Sequence, residues 1–181
     1  MTLIDFAHET THPPAPLLKR LRIAGVRLAD ALLIAAILGL VMLVSLPRIE
    51  AYARASNERD AVLATALLGD RLGSEGGSAV QGGQDLPALV AGDRHLSHRL
   101  RDARRIPDTS LLLYHGYHYS LDLRSGEILA WPRRAGGTGQ TVYRWTRQAG
   151  LQRMANQAGQ WTGTGVPSGA SEAWQSMSDD G

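Results

Sequence analysis

The stretch Gly25–Leu68 reads GVRLADALLIAAILGLVMLVSLPRIEAYARASNERDAVLATALL, and it has an apolar first half and a mixed second half. Residues 31–46 contain no charged side chain and no Asn, Gln or His. Counted from Leu28, the apolar run is about 19 residues long. As an α-helix it spans roughly 28 Å, close to the ~30 Å hydrocarbon core of a bilayer. We therefore predict a transmembrane helix that is kinked rather than ended by Pro47 and continues into water.

Two other kinds of segment share this composition. A helix buried in a soluble core is disfavoured here, because an apolar surface all round leaves no polar face for water. A cleaved secretory signal is disfavoured because the apolar run is longer than a signal's apolar core and no clear small-x-small cleavage site follows it.

The charges that flank the apolar run predict its orientation. Before it lie the closely spaced basic residues Lys19, Arg20, Arg22 and Arg27. After it, basic and acidic residues are interleaved: Arg48, Glu50, Arg54, Glu58, Arg59 and Asp60. Since the denser positive cluster stays in the cytoplasm, we expect a single-pass protein of a bacterial inner membrane. Its N-terminus is then cytoplasmic, and its C-terminal domain is periplasmic or extracellular.

Asp30 is a carboxylate at the beginning of the apolar run, where burial in lipid is costly. It can pair with Arg27 at the cytoplasmic headgroups, or it can meet a positive group on a neighbouring subunit, and the sequence leaves both open. Further along, the small residues Ala35, Ala36 and Gly39 form a face on which another transmembrane helix can pack closely.

The spacing of Gly25, Asp30 and Pro47 resembles the N-terminal region of type IV pilins and pseudopilins. In that family a basic leader ends in Gly, an acidic residue follows near the start of the apolar helix, and a Pro lies near its outer end. The resemblance extends to an alanine-rich helix with an Asn-Glu pair, matched here by Asn57 and Glu58. It implies leader cleavage between Gly25 and Val26.

Three residues depart from the family's pattern. Val26 stands where the family usually has Phe, Asp30 stands where it has Glu, and Arg27 places a charge where the family has a small neutral residue. We therefore expect one of two functions. The first is a non-catalytic structural subunit of a pilus or secretion pseudopilus. The alternative is an uncleaved, pilin-derived accessory subunit that stabilises a large membrane complex, such as a photosynthetic or other energy-converting complex.

Composition restricts the remaining possibilities. The 181 residues carry a net charge of +2, which does not suggest nucleic-acid binding, and they include no Cys. Disulfides and thiolate metal sites are therefore excluded. We expect other membrane-protein subunits and the lipid bilayer as partners, and we expect no nucleic acid, no small-molecule substrate and no cofactor.

The chain is predicted to be α+β, with a pilin-like plan in which the helix packs on a small antiparallel sheet. Its segments are listed in chain order: a leader or retained cytoplasmic tail, 1–25; the transmembrane helix and stalk, 26–72; a Gly-rich linker, 73–85; a small extracytoplasmic domain, 86–155; and a flexible tail, 156–181. In the stalk, a stripe formed by Ile49, Tyr52, Ser56, Leu63 and Leu67 is expected to pack against the domain.

Within the domain, we expect one helix from Leu86 to Ala103, with Pro87 in its first turn. Alternating apolar residues after Pro107 then predict a meander of three to five strands, in which residues 117–123 are half-buried. The basic residues Arg94, Arg101, Arg104 and Arg105 are a solvated face or a contact for anionic lipid or an acidic partner. In the tail, Trp161 and Trp174 either contact a partner or the membrane interface or are incidental.

Two patterns could suggest small-ligand chemistry. The loop 136–139, Gly-Gly-Thr-Gly, lacks the Lys-Ser/Thr of a phosphate-binding loop and is predicted to be a hairpin loop. His95 and His98 are one helical turn apart, a spacing at which two side chains can share a metal. His115 and His118 straddle a turn or strand, with Asp122 on the face of His118; four ligands could converge, but no further ligand pattern accompanies them. We expect no metal site and no catalytic residue.

Overall fold

The computed structural model describes residues 28–74, 85–156, 159–166 and 174–177. The predicted processing site Gly25–Val26 and most of the predicted linker lie outside the described residues. The chain forms two compact units, Met1–Pro47 and Arg48–Gly181.

In the described part of the chain, three helices precede the sheet: α1 (Leu28–Ser74), α2 (Leu86–Gly92) and α3 (Arg94–Arg99). As predicted, the first helix does not end at Pro47, which lies inside α1. Pro87 lies in the first turn of α2, whose first residues are capped by Asp85, because its side chain accepts a hydrogen bond from the Ala88 amide at 2.9 Å.

The prediction of one helix from Leu86 to Ala103 is wrong. Asp93 is extended and separates α2 from α3, and its carboxylate accepts hydrogen bonds from the amides of His95 (2.7 Å) and Leu96 (3.1 Å). These are the amides at the beginning of α3 that have no partner within the helix. The helical pattern therefore restarts at Asp93 and ends at Arg99.

Seven strands of the described residues form one sheet in which each strand is antiparallel to its sequence neighbour. They are β1 (Arg104–Arg105), β2 (Leu112–Tyr114), β3 (Tyr117–Asp122), β4 (Glu127–Pro132), β5 (Thr141–Thr146), β6 (Gly150–Ala155) and β7 (Gln175–Ser176). The domain is thus α+β, as predicted. The meander exceeds the predicted three to five strands because the two-residue strands β1 and β7 extend it at either edge.

The register separates the side chains of the sheet into two faces. Tyr119 is opposite Ala130, which is opposite Tyr143, and all three belong to one apolar cluster that includes the C-terminal part of α1. We call this the helix face. His118 is opposite Trp131, and Trp131 belongs to a second cluster that includes Trp161. We call this second side the tail face.

The helix face is covered by a stripe of α1 different from the predicted one. The residues of α1 that are buried there are Ala61, Ala64, Thr65, Leu68, Gly69 and Leu72. By contrast, Ile49, Tyr52 and Leu63 are 61%, 77% and 68% exposed and Ser56 is exposed as well, so the prediction that these four pack against the domain is wrong. The fifth predicted residue, Leu67, is partly buried and does pack against the helix-face cluster. The sheet packs on the side with small side chains, and at Gly69 the Trp145 ring lies where a Cβ would be.

The tail face is covered by residues that follow the last long strand. Trp161 is buried there together with Leu111, Trp131, Val142 and Met154. As a result β3 is buried on both faces from Tyr117 to Ser120, and the expectation of a half-buried strand is wrong. The predicted alternation of side chains between the two faces of the sheet is correct. A half-buried strand, however, requires one face open to water, and the tail covers that face.

Candidate functional site

The N-terminal part of α1 presents apolar side chains outward. All the large hydrophobic residues from Leu28 to Leu46 are exposed, at more than half of their accessible surface. Among the described residues, α1 is the helix whose length and composition suffice for one membrane crossing, a criterion that a signal sequence near an N-terminus would also meet. Asp30 lies in the first turn of α1.

The predicted close-packing face lies within this exposed segment. Ala35 and Ala36 are exposed, and a Cβ added at Gly39 would have no atom within 4 Å. The structure therefore leaves room at these positions for the close approach of another helix.

Beyond Pro47, a short segment of α1 holds two loops of the sheet, and we call it the loop clamp (Asn57, Glu58 and Asp60). The Asn57 side-chain amide donates to the Thr138 carbonyl at 3.2 Å, and Glu58 Oε1 accepts from the Gln140 amide at 2.7 Å. The loop between β4 and β5 is thus tied to the helix by two backbone groups. The Asn-Glu pair was singled out from the sequence by resemblance, and these two contacts give it a structural role.

Asp60 holds the second loop, the two-residue turn between β2 and β3. His115 Nδ1 lies 2.6 Å from Asp60 Oδ2, and the His115 ring stacks on Tyr114 with 4.0 Å between centroids. Both residues of the turn have positive φ, 43° at His115 and 79° at Gly116. His115 pays a conformational cost in this region, which Gly116 does not, and the Asp60 contact helps to hold it there.

The clamp can be tested by removing the Glu58 carboxylate. We expect Glu58→Ala to lower the free energy of unfolding by about 1 kcal/mol, because the Gln140 amide then loses its acceptor. We also expect faster hydrogen exchange at the Gln140 amide, measured by NMR or mass spectrometry. Glu58→Gln keeps an oxygen acceptor and should restore slow exchange. Glu50→Ala, an exposed change earlier in α1, is the matched control, and an equal effect there would contradict the clamp.

The predicted arginine cluster is divided between two elements. Arg94 begins α3 and Arg101 follows its end, and both are exposed beside a depression also lined by His95, Ser97 and His98. Arg104 and Arg105 form strand β1 instead. Arg105 has partners within the chain, because it pairs with Asp85 at 3.0 Å and donates to the Thr109 carbonyl at 3.3 Å.

Trp161 and Trp174 contact the chain's own sheet. Asn156 fixes Trp161 through two hydrogen bonds, donating to its carbonyl at 2.6 Å and accepting from its amide at 3.1 Å. Trp174 stacks on Trp161 with 6.2 Å between centroids, and the Arg144 guanidinium lies 4.3 Å from the centre of the Trp174 ring. Of the described parts of the predicted flexible tail, Trp161 and Trp174 thus pack on the tail face, whereas Gln175–Ser176 form the edge strand β7 and Met177 packs against the helix-face cluster.

A buried histidine takes part in this packing. The Gly163 carbonyl accepts hydrogen bonds from His118 Nδ1 and from Trp131 Nε1, the latter at 2.9 Å. Burial lowers the pKa of His118, opposed by the bond to Gly163 and reinforced by the positive charge of Arg133. The neutral imidazole with its proton on Nδ1 is therefore the form that joins residues 159–166 to the sheet.

The lowered pKa of His118 predicts acid sensitivity. Because the folded state binds this proton less well than the unfolded chain, the free energy of unfolding should fall as pH decreases below about 6.5. One proton gives a slope of at most about 1.4 kcal/mol per pH unit. Above about pH 6.5 the contribution of His118 to the free energy of unfolding is fully present.

Denaturation curves between pH 5 and 8 would measure this slope. His118→Asn keeps a donor near Nδ1 but cannot titrate, so its curve should be flatter than that of the unchanged protein. His98→Asn, at an exposed position on α3, is the control and should leave the slope unchanged. A slope that persists in His118→Asn would assign the acid sensitivity to another group.

The glycine-rich loop and the two histidine pairs, which could suggest ligand binding from the sequence, have no ligand-binding arrangement among the described residues. Loop 136–139 joins antiparallel strands, as predicted, and is closed by the Gly136 amide, which donates to the Gly139 carbonyl at 2.9 Å. His95 and His98 are exposed on α3, whereas His115 and His118 have the partners given above. Across the described part of the chain, no group of three or more His, Asp or Glu side chains could hold a metal ion.

Comparison with known proteins identifies no relative: no family model, no curated protein and no solved structure matches the chain. The function must therefore be inferred from the surfaces described above.

Two residues of these sites were missed in the sequence. Asp60 was read as one of the flanking charges, although its place shortly after the Asn-Glu pair puts it on the same part of α1. Asp93 precedes α3 and has the residue type that commonly caps a helix, a local signal that could have located the break.

Proposed function

We propose that the protein is a non-catalytic, single-pass membrane subunit of pilin-like plan, which acts through helix packing and through contacts of its folded domain. The observation that carries the proposal is the exposed apolar segment of α1. Exposing about 19 apolar residues to water would be strongly unfavourable, whereas a bilayer or neighbouring helices would cover them. The flanking charges favour a cytoplasmic N-terminus and a domain on the opposite side of a bacterial inner membrane.

The pilin-like part of the proposal is supported by the order of the elements. A long N-terminal helix is followed by an antiparallel meander, and the Asn57–Glu58 pair of the helix holds the loop between β4 and β5. Together with the spacing of Gly25, Asp30 and Pro47, this favours a subunit of a pilus or secretion pseudopilus. In such an assembly Asp30 would meet the freed amine of Val26 on a neighbouring copy.

A second candidate function is favoured by Arg27. A cationic side chain next to the processing site is costly inside a filament in which each helix is surrounded by others. An accessory subunit that keeps its leader would avoid this, since Arg27 would remain at the cytoplasmic headgroups. The small face of Ala35, Ala36 and Gly39 would then pack on transmembrane helices of a larger complex.

The intact mass and N-terminal sequence of the protein isolated from native membranes would distinguish these functions. A chain that begins at Val26 would support the pilus or pseudopilus subunit. A chain that retains the residues before Gly25 would contradict processing and favour the accessory subunit. Recovery of the intact chain in the soluble fraction after cell lysis would overturn the membrane proposal itself.

A further inference from the structure

Some apolar side chains of α1 are left largely uncovered by the residues that the structure describes. Tyr52 and Leu63 are 77% and 68% exposed, and Leu67, one turn after Leu63, is only partly buried. The spacings of eleven and four residues place these three side chains on one side of α1. Leu63 and Leu67 are one turn apart, so their exposed parts adjoin, and contiguous exposed apolar side chains are typical of interaction surfaces.

The stripe leads into a groove between α1 and α3. The groove has a volume of about 300 Å³, and its apolar lining is formed by Leu63, Leu67, Leu100 and Tyr114. His95 and Arg99 of α3 line its other side. We call this site the α1–α3 groove; its apolar floor is bordered by His95 and Arg99 from the α3 side and by Asp60 from α1.

The basic character extends beyond the groove. Residues 94–101 include three arginines and two histidines and no acidic side chain. Of the carboxylates nearby, Asp60 lines the groove but is bonded to His115, and Asp93 caps α3 and pairs with Arg71. Asp70, one turn after Leu67 on the same side of α1, is exposed but is not among the residues that line the groove. Asp102 is exposed and lies 3.7 Å from Arg101. The rim is therefore suited to carboxylates supplied from outside.

We propose that the α1–α3 groove binds an acidic amphipathic helix of a partner protein. Such a helix would place apolar side chains on Leu63 and Leu67 and its carboxylates beside Arg99 and His95. A helix satisfies its own backbone hydrogen bonds, so it needs only side-chain contacts from a groove formed by two helices. A second copy in a symmetric pair suits the groove less well, because the same basic rims would approach each other.

This inference rests on the proposed function in one respect, since it names the class of partner for the anchored domain. The peptide-binding test below does not depend on leader processing or membrane extraction, so the groove proposal and the proposed function can fail separately. Binding to the groove requires only the folded domain, and a processed and an unprocessed chain should bind alike.

The test uses the full chain in nanodiscs of zwitterionic lipid. The probes are fluorescein-labelled, stapled helical peptides of about 15 residues with leucines on one face and glutamates elsewhere, and a matched set has lysines in place of the glutamates. Fluorescence anisotropy should show binding of the glutamate peptides and at least ~10-fold weaker binding of the lysine peptides, a difference of about 1.4 kcal/mol.

Variants locate the binding site. Leu63→Ser and Arg99→Glu should each weaken binding of the glutamate peptides by ~10-fold or more, as expected for central contacts. The matched controls Leu123→Ser and Arg124→Glu lie in the turn between β3 and β4, at the other end of β3 from Tyr114, and should change binding less than ~2-fold.

Three results would overturn the proposal. The first is equal binding of the glutamate and lysine peptides. The second is a failure of Leu63→Ser and Arg99→Glu to weaken binding. The third is that no peptide binds, while the chain instead self-associates through Leu63 or its domain binds anionic vesicles through Arg99.

Discussion

Truncating Leu68 to alanine is expected to lower the free energy of unfolding by about 2–5 kcal/mol, whereas the same change at Leu63 should alter it by less than about 0.5 kcal/mol. The two leucines lie on neighbouring turns of α1 and differ only in surroundings. Leu68 is fully buried in the helix-face cluster, and Leu63 is 68% exposed. Leu68→Ala loses the transfer free energy of the side chain and leaves a cavity as well.

Urea denaturation of the full chain in nanodiscs, followed by tryptophan fluorescence, would measure both changes. The comparison controls for helix propensity, because the substitution and the helix are the same in both variants. The comparison also shows which of the two stripes of α1 packs against the sheet. If Leu63→Ala proved the more destabilising change, the stripe expected from the sequence would be the one that faces the sheet.

The second large effect is expected at Gly69. A Cβ at this position would lie 2.4 Å from three atoms of the Trp145 indole, far closer than atoms can approach. We expect Gly69→Ala to lower the free energy of unfolding by about 1–3 kcal/mol, the usual cost of overpacking a core. This loss should occur although alanine favours a helix more than glycine does.

Gly73 provides the matched control, since it lies one turn later in α1 beside the same indole. A Cβ there would be 3.7 Å from the nearest ring atom, an ordinary contact. Gly73→Ala should therefore stabilise the domain by about 0.5–1 kcal/mol through helix propensity alone. Replacing Trp145 by leucine should reduce the additional cost of Gly69→Ala, and a cost that is unchanged in this double variant would contradict the steric explanation.

Much of the secondary structure could be predicted from local patterns. The length of the apolar run and the strong helix formers after Pro47 predicted a continuous helix, and the alternation after Tyr117 predicted a strand. Each of these signals is contained within a few turns or a single strand. The α+β class followed from their order along the chain.

The packing could not be predicted in the same way, because it depends on partners distant in sequence. Ile49, Tyr52 and Leu63 form an apolar stripe, but the sheet packs on Ala61, Leu68 and Gly69, where small residues admit the Trp145 ring. Hydrophobic periodicity locates an apolar stripe and does not specify what covers it. The cover on the tail face was missed for the same reason, since nothing local relates Trp161 to Trp131.

Only some features of the candidate site could be predicted from the sequence. The Asn57–Glu58 pair and the basic residues of 94–105 were identified from the sequence, but their surroundings were not. The structure brings Arg94 and Arg101 beside one depression and assigns Arg105 to contacts with Asp85 and Thr109. The division of these arginines between α3 and β1 was not predicted, because the sequence pattern did not locate the break between α2 and α3 at Asp93.

The two edge strands of the sheet restrict how another copy or a partner can add a strand. At one end Arg104 and Arg105 form the outermost strand, and at the other Gln175 and Ser176 do, and all four are exposed. A strand of two residues offers few backbone groups to an incoming chain, and an arginine pair repels an identical edge. Within the described residues, growth by strand addition, the route that leads to cross-β fibres, is thus obstructed at both ends, and ordered association is left to the helices.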